Sequence, residues 1–139
     1  MEKAEALRHL EDVISGYKNN YAPQNITVYQ YWARVVRVVD GDTLELEIEL
    51  GFDLKIRNSL RLIGLNTPET YGVKKGSEEY RKGMEAKEFV QNFVRENDWV
   101  EVEIYRGKKE KYGRWLGQVY KNGESLNVTL LTEELAEKL

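Results

Sequence analysis

The chain has 139 residues, 41% of them apolar and 32% charged, which suits one domain with a core and a well-solvated surface. Its net charge of −3, from 21 basic and 24 acidic residues, differs from the strongly basic balance of a protein that coats nucleic acid non-specifically. Cysteine is absent, which excludes disulfides, thiolate metal sites and cysteine nucleophiles, and a single histidine, His9, argues against a Ser-His-Asp triad and a His-rich zinc site.

The N-terminal segment predicts an amphipathic helix. Leu7, Leu10, Val13 and Ile14 recur at helical spacing, and residues 18–25 read as a connector because they combine Asn-Asn with a proline. We therefore divide the chain into an N-terminal helical extension with its connector, residues 1–25, and a main domain, residues 26–139. The helix is interpreted as packing on that domain, and a dimerisation or partner helix is the alternative.

No apolar leader and no run of transmembrane length occurs in the sequence. We expect a cytoplasmic protein that does not enter membranes, and a monomer.

From residue 29 the apolar pattern changes to period two, which predicts strands. Leu44, Leu46, Ile48 and Leu50 alternate with glutamates and give the clearest of them. The first three strands are predicted over residues 29–39, 43–50 and 54–65, as a meander with its apolar face inward.

The second half predicts a helix between two further strands. Residues 70–82 carry glycines and lysines without an apolar period and predict a mobile loop. The remaining predicted elements are a helix over 84–95, strands over 99–105 and 114–120 separated by a basic loop, and a final helix over 126–139 that Ser125 caps. Five short strands with a helix between the third and fourth predict a mainly β, α+β fold: a five-stranded Greek-key OB-fold barrel with a C-terminal helix and the extra N-terminal helix.

Two acidic positions stand at turns of this barrel. Asp42 follows Gly41 in a strand-to-strand turn, where an ordinary hairpin also explains it. Glu69 follows Pro68, which stiffens the exit of the third strand and fixes where the carboxylate points. A rigid carboxylate of this kind suits a general base, and a surface acid is the alternative.

Two arginines stand near the same turns. Arg61 is predicted on the face opposite Leu60 and Leu62, where it needs an anionic partner: an acidic side chain or a phosphate, whose oxygens match the guanidinium fork. Arg114 lies at a loop-to-strand junction, and a solvated strand-end charge explains it equally well.

Taken in order, these segments resemble the staphylococcal nuclease (thermonuclease) family. The resemblance covers about residues 30 to 137 and includes the long loop that follows Glu69. The matching residues are Val39-Asp40-Gly41-Asp42-Thr43, the run LRLIGLNTPET from Leu60 to Thr70, and Lys111-Tyr112-Gly113-Arg114.

The resemblance implies a role for each matching residue. Asp42, Asn66 and the carbonyl of Thr67 match ligands of a calcium ion, and Glu69 matches the glutamate that activates or positions water. Arg61 and Arg114 match the arginines that grip the scissile phosphate, and Lys111 and Tyr112 match contacts to the substrate's terminal phosphate. The implied activity is that of an endonuclease: calcium-dependent, sugar-nonspecific hydrolysis of DNA and RNA that leaves 3′-phosphate ends.

The residue types agree with that chemistry, because a hard cation on oxygen ligands and two arginines neutralise the charge of a phosphodiester. One departure is Asn66, where the best-known members have aspartate. We expect weaker calcium binding, or a changed preference for another divalent cation, since affinity falls with ligand charge. A second departure is that those members continue into a further helix, whose place on the barrel we expect the N-terminal helix to take.

Alternatives remain for the role of the whole domain. One is a catalytically weak or inactive module that binds nucleic acid or protein, and another is a carbohydrate-binding OB barrel, which gives no reason for two arginines near three acids. The positive loops could line a substrate groove or be scattered solvated lysines, and among the tyrosines only Tyr112 is expected to stack on a base. The loop residues in question are Lys74, Lys75, Arg81, Lys82, Lys108, Lys109 and Lys111.

Overall fold

The computed structural model describes residues 1–16, 29–105 and 114–139. Its elements, in chain order, are α1 (Lys3–Ser15), β1 (Tyr29–Asp40), β2 (Thr43–Gly51), β3 (Leu54–Leu62), β4 (Leu65–Asn66), α2 (Glu78–Phe93), β5 (Trp99–Ile104), β6 (Trp115–Lys121), β7 (Glu124–Ser125), α3 (Leu126–Thr132) and β8 (Glu137–Lys138). The connector predicted over 18–25 lies outside the described residues, as do Lys108, Lys109, Lys111 and Tyr112.

The long strands close into a barrel. The sheet order is β3-β2-β1-β5-β6, with antiparallel neighbours, and β3 also pairs with β6 in parallel through Leu60↔Trp115 and Leu62↔Gly117. This closure of a five-stranded meander with one crossover confirms the predicted fold class. Leucines of β2 and β3 fill the interior, because the alternating residues of both strands face it. The fully buried ones are Leu44, Leu46, Leu60 and Leu62.

A buried asparagine joins α3 to the barrel. The Asn127 side chain donates to the carbonyls of Ile63 (3.0 Å) and Gly117 (3.2 Å) and accepts from the Val119 N–H (3.3 Å). Ser125 caps the helix by accepting from the Val128 N–H, as predicted. Asn127 therefore ties α3 to β6 and to the turn that follows β3.

The N-terminal helix packs on the same core. Ala6 and Leu10 are buried, and the Leu10 side chain lies so close to Gly64 that a Cβ at Gly64 would stand 2.6 Å from it. His9 Nε2 lies 2.6 Å from the Gly64 carbonyl oxygen. The predicted stripe is wrong at Leu7, which is exposed, because the face in contact is centred one position earlier, at Ala6.

The predicted C-terminal helix is wrong beyond Thr132. Glu134 takes a positive φ of 59°, the N–H groups of Leu135 and Ala136 bond to the Leu130 carbonyl, and the chain then pairs as β8 with β4. The apolar period continues through Leu135 and Ala136, so the sequence pattern did not predict that the helix ends at Thr132. The two-residue strand β4 thus pairs with the C-terminal segment.

Two further predictions on chain path are wrong in part. The loop predicted over 70–82 ends early, because α2 begins at Glu78, where Ser77 accepts from the Tyr80 N–H. The third strand ends at Leu62, since Gly64 turns the chain with a φ of 82°. Ile56 lies on the same face as Leu60, as predicted, since it pairs with the buried Ile48, but Ile56 and Leu54 are exposed towards the end of the β2–β3 hairpin.

None of the helices in the described residues is both long enough and apolar enough to span a membrane.

Replacement of Asn127 should be costly, because it removes the bonds of Asn127 to the Ile63 carbonyl and the Val119 N–H, while the Gly117 carbonyl keeps the Ile63 N–H. We expect Asn127→Ala to lower the free energy of unfolding by about 2–4 kcal/mol, measured by urea denaturation with circular dichroism. The matched control is Asn92→Ala at an exposed position of α2, with an expected change within about 0.5 kcal/mol. Equal stability of the two variants would contradict this account of Asn127.

Candidate active site

Three segments meet at one end of the barrel. Thr43 at the start of β2 pairs with Arg61 near the end of β3, and the Leu62 N–H donates to the Asp42 carbonyl at 2.8 Å. The short strand β4 then returns the chain, so that Thr67 lies against Asp42. The turn between β1 and β2 is thereby joined to both sides of the Gly64 turn.

Arg61 is the centre of this junction and is only 9% exposed. Its Nη1 lies 3.2 Å from Asp42 Oδ2 and donates to the Leu65 carbonyl at 3.1 Å, while its Nη2 donates to Asn66 Oδ1 at 2.5 Å. A buried guanidinium needs acceptors of this kind, since its charge cannot be lost. The expectation of an anionic partner is therefore confirmed, and that partner is Asp42.

The Asp42 carboxylate is buried and has contacts at both oxygens. Thr43 donates its hydroxyl to Oδ1 at 2.9 Å, and the Thr67 N–H donates to Oδ2 at 3.2 Å. Charge-assisted bonds of this type hold a carboxylate in one orientation. Asp42 is thus fixed by the strand that follows it and by the segment after β4.

Arg114 reaches the same cluster through Thr43. Its Nη1 donates to Thr43 Oγ1 at 3.1 Å, and that hydroxyl donates in turn to Asp42. Both arginines therefore connect to one carboxylate, Arg61 directly and Arg114 through one hydroxyl. Thr43 was part of the motif, but its bridging position could not be read from the sequence.

Glu69 lies in an adjoining cleft of 470 Å³, which Asn66 and Thr67 also line. It is exposed, as a group that exchanges protons with water must be. The other charged residues of this acidic cleft are Glu78, Glu79, Lys82, Glu134 and Glu137. The last two were missed because the helix predicted over 126–139 would have carried them elsewhere.

Close contacts at two glycines pack the site segments against α2, and one hydroxyl group ties the Glu69 segment to Asp40. A Cβ at Gly83 would lie 2.6 Å from the Pro68 carbonyl oxygen and 3.1 Å from that of Glu69, and a Cβ at Gly41 would lie 2.8 Å from the Ala86 Cβ. Thr70 donates its hydroxyl to Asp40 at 2.7 Å. The segment that carries Glu69 is thus tied to the helix and to the β1–β2 turn.

The donors suited to a cation are oxygens. They are the Asp42 carboxylate, the Asn66 side-chain amide and the Thr67 carbonyl, which fit a hard divalent ion in chemical type but supply one negative charge. Within residues 1–16, 29–105 and 114–139 no group of three or more His, Cys, Asp or Glu side chains could hold a metal. Asp42 and Asn66 also accept bonds from Arg61, which competes for the same oxygens.

The structure brings together most of the residues singled out in the sequence. Arg61 joins directly to Asp42 and Asn66, Thr67 bonds to Asp42, and Arg114 connects through Thr43. Glu69 lies in the adjoining acidic cleft, and Lys111 and Tyr112 lie outside the described residues.

Comparisons with known proteins agree with this geometry. A family model described as staphylococcal nuclease homologue matches residues 59–139. The thermonuclease of Staphylococcus hyicus is 38% identical over 103 residues, which cover 74% of this chain and 56% of that protein. The thermonuclease of Staphylococcus intermedius is 39% identical over 102 residues, or 73% of this chain and 56% of that protein. Endonuclease YhcR of Bacillus subtilis is 32% identical over 106 residues, 73% of this chain and 8% of that protein. The chain spans about half the length of the two thermonucleases it matches.

Replacement of Gly83 tests the contact between α2 and the Glu69 segment. Alanine normally stabilises the interior of a helix relative to glycine by up to about 1 kcal/mol. Here we expect Gly83→Ala to lower the free energy of unfolding by about 1–3 kcal/mol, because the added methyl group collides with the Pro68 carbonyl. Amide resonances of Glu69 and Thr70 should shift with it.

The matched control is Gly76→Ala, since no atom lies within 4 Å of a Cβ built there. That variant should stay within about 0.5 kcal/mol of the parent. A Gly83→Ala variant more stable than the parent would show that the close contact does not exist in solution.

Proposed function

Because the chain belongs to the staphylococcal nuclease family, we propose that it is a nuclease, a hydrolase that cleaves phosphodiester bonds of nucleic acid. The observation that carries the proposal is the cluster in which Arg61 and Arg114 connect to Asp42 beside a cleft that holds Glu69. Two fixed cations, oxygen ligands and an exposed carboxylate are the groups that this hydrolysis needs.

The two arginines bind the phosphate. A phosphodiester gains negative charge as water attacks, and guanidinium groups held in place beforehand stabilise that charge without reorganising. Arg61 is held by Asn66, Asp42 and the Leu65 carbonyl, so its orientation costs little when substrate binds. Loss of such a group typically costs about 3–4 kcal/mol of transition-state stabilisation.

Glu69 acts on water. Its carboxylate takes the proton of the attacking water, or orients that water in line with the leaving group. The fixed backbone of the Pro68–Glu69 segment against Gly83 supports this role, because a general base works only within hydrogen-bond distance of its proton.

Asp42, Asn66 and Thr67 would hold a divalent cation. The chemistry that such a cation supplies is positive charge against a phosphoryl oxygen and a bound water. These residues bring one formal charge to it, and Arg61 already neutralises part of that charge. We propose calcium, since all the donors are oxygen and calcium tolerates irregular coordination, with weak affinity.

We extend the proposal to both DNA and RNA as substrates, to 3′-phosphate products, to contacts from Lys111 and Tyr112, and to a monomeric, cytoplasmic enzyme. Resemblance to the family supports the substrates, the products and the two contacts. A second candidate is a binding module with little or no activity. The observation that favours it is the pairing of Arg61 with two of the oxygens assigned to the cation.

The nuclease proposal is tested by the release of acid-soluble nucleotides from denatured DNA and from RNA, with calcium or with EDTA. We expect release that requires the divalent cation and falls about 100-fold or more in Glu69→Gln, because the amide cannot accept a proton from water. The matched control is Glu79→Gln in the same cleft, which should retain the parent rate.

Absence of release with calcium, magnesium or manganese from folded protein would contradict the proposal and favour the binding module. An equal loss in Glu69→Gln and Glu79→Gln would contradict the role given to Glu69 alone.

Restoring a second charge at the cation site should tighten binding. We expect Asn66→Asp to lower the calcium Kd about tenfold or more, because the added carboxylate gives the oxygen ligands a second negative charge. Isothermal titration measures it, with Asn92→Asp as a control that adds the same charge at an exposed site on α2. Unchanged affinity in Asn66→Asp would show that this position is not a ligand.

A further inference from the structure

The face of the sheet that carries Arg61 continues well beyond the site. Paired residues of antiparallel strands share a face, and the register Thr43↔Arg61, Glu47↔Arg57, Glu49↔Lys55 therefore places Arg57 and Lys55 on the same side as Arg61. From Arg61 to Lys55 the strand covers about 20 Å at roughly 3.3 Å per residue.

Strand β1, which pairs with the other edge of β2, adds two more cations to this face. Arg34 Nη2 lies 2.9 Å from Glu47, and Arg37 Nε lies 3.0 Å from Glu45, which also pairs with Arg57 Nε at 3.2 Å. Lys55 Nζ lies 3.5 Å from Glu49 and 3.7 Å from Glu47. Hydrogen bonds from Arg57 and Arg37 hold the pKa of Glu45 below its usual value, so Glu45 stays charged in this series of ion pairs.

On β1, β2 and β3 the cations are more exposed than the glutamates. The side chains of these cations are 41 to 60% exposed, whereas the glutamates between them are 20 to 29% exposed. Strand β5 adds two acids to the same face, the exposed Glu101 opposite Trp32 and the half-buried Glu103 opposite Gln30. Each ion pair at an arginine uses one guanidinium nitrogen, and a guanidinium carries five N–H donors. A phosphate that approaches the part of this face formed by β1, β2 and β3 therefore meets the cationic groups and their hydrogen-bond donors first.

Two exposed tryptophans lie next to Arg34. Trp99 of β5 pairs directly with Arg34, and Trp32 precedes Arg34 by two positions on the same face. Their exposed fractions are 51% and 56%. Trp32 and Trp99 are diagonal neighbours on adjacent strands, a separation of roughly 7–8 Å. An ion-pair ladder alone would explain the charges, but it would not explain two large aromatic side chains in water.

The acidic cleft beside the site repels a polyanion. It carries five glutamates, Glu69 among them, against one lysine. A nucleic-acid strand held at Arg61 and Arg114 has less electrostatic repulsion if it leaves over the sheet face, where cations and acids are about equal in number, than over this cleft.

We propose that the outer face of β1, β2, β3 and β5 binds the single-stranded nucleic acid that extends from the phosphate at Arg61. The inference rests on the proposed nuclease function. Arg34, Arg37, Lys55 and Arg57 follow the phosphates, and Trp32 and Trp99 stack on unpaired bases. A positive groove with aromatic platforms is the usual means of binding single strands without sequence preference, and bases inside a duplex cannot stack on such platforms.

Binding is measured by fluorescence anisotropy of a labelled 20-nucleotide DNA strand in EDTA, which prevents cleavage. We expect Trp32→Ala and Trp99→Ala each to raise Kd about fivefold or more, and the phenylalanine variants to stay near the parent because they keep a stacking ring. Arg57→Gln should lower the slope of log K against log salt by about 0.7. The matched control is Arg8→Gln, an exposed arginine on α1 and outside the strands of this face, which should change neither quantity.

Three results would overturn the proposal: no binding of the strand by the parent protein, alanine variants that bind like the parent, or a duplex bound as tightly as the single strand. Cleavage separates this proposal from the nuclease proposal. A dinucleotide is too short to reach the tryptophans, so Trp32→Ala should raise KM for the 20-mer and leave dinucleotide cleavage unchanged. If the parent cleaves neither substrate, the nuclease proposal fails, while the anisotropy result still decides the binding face.

Discussion

The site depends on one buried charge, the guanidinium of Arg61. Because that charge cannot be removed, the fold must supply acceptors, and it does so from Asp42, the Leu65 carbonyl and Asn66. These contacts of Arg61 join the turn before β2 to the strand β4 that follows the Gly64 turn. The Gly64 turn and the strand β4 that follows it are also held by the N-terminal helix, by Asn127 and by β8. The same few contacts therefore stabilise the fold and fix the geometry of the site.

The same cluster divides the surface around it by charge. On one side lies the acidic cleft with Glu69, and on the other the sheet face where half-exposed cations cover glutamates. The proposed function is compatible with the negative net charge, because a polyanion can bind to a local group of cations and be released from a surface that is acidic elsewhere.

Local patterns predicted the barrel, because the alternation in residues 43–50 reflects short-range geometry. The set of site residues came instead from the resemblance to a family, and their roles stay predictions, although the structure brings Arg61, Asp42 and Asn66 into contact. The pairing of segments far apart in the chain could not be predicted from the sequence. Strand β8 forms because it pairs with the free edge of β4. The face shared by Arg61, Arg57 and Trp99 depends on the register of four strands. The start of α2 was missed although Ser77 was a visible cap, because the glycines and lysines before Met84 obscured the helical period.

The most direct test of the account is a crystal structure with calcium and a dinucleotide whose linkage cannot be hydrolysed. We expect the phosphate between the guanidinium groups of Arg61 and Arg114, with the cation on Asp42, Asn66 and Thr67 and with Glu69 facing the phosphorus from the acidic cleft. A dinucleotide bound away from Arg61 and Arg114, or a cation bound away from Asp42, would contradict the proposed site.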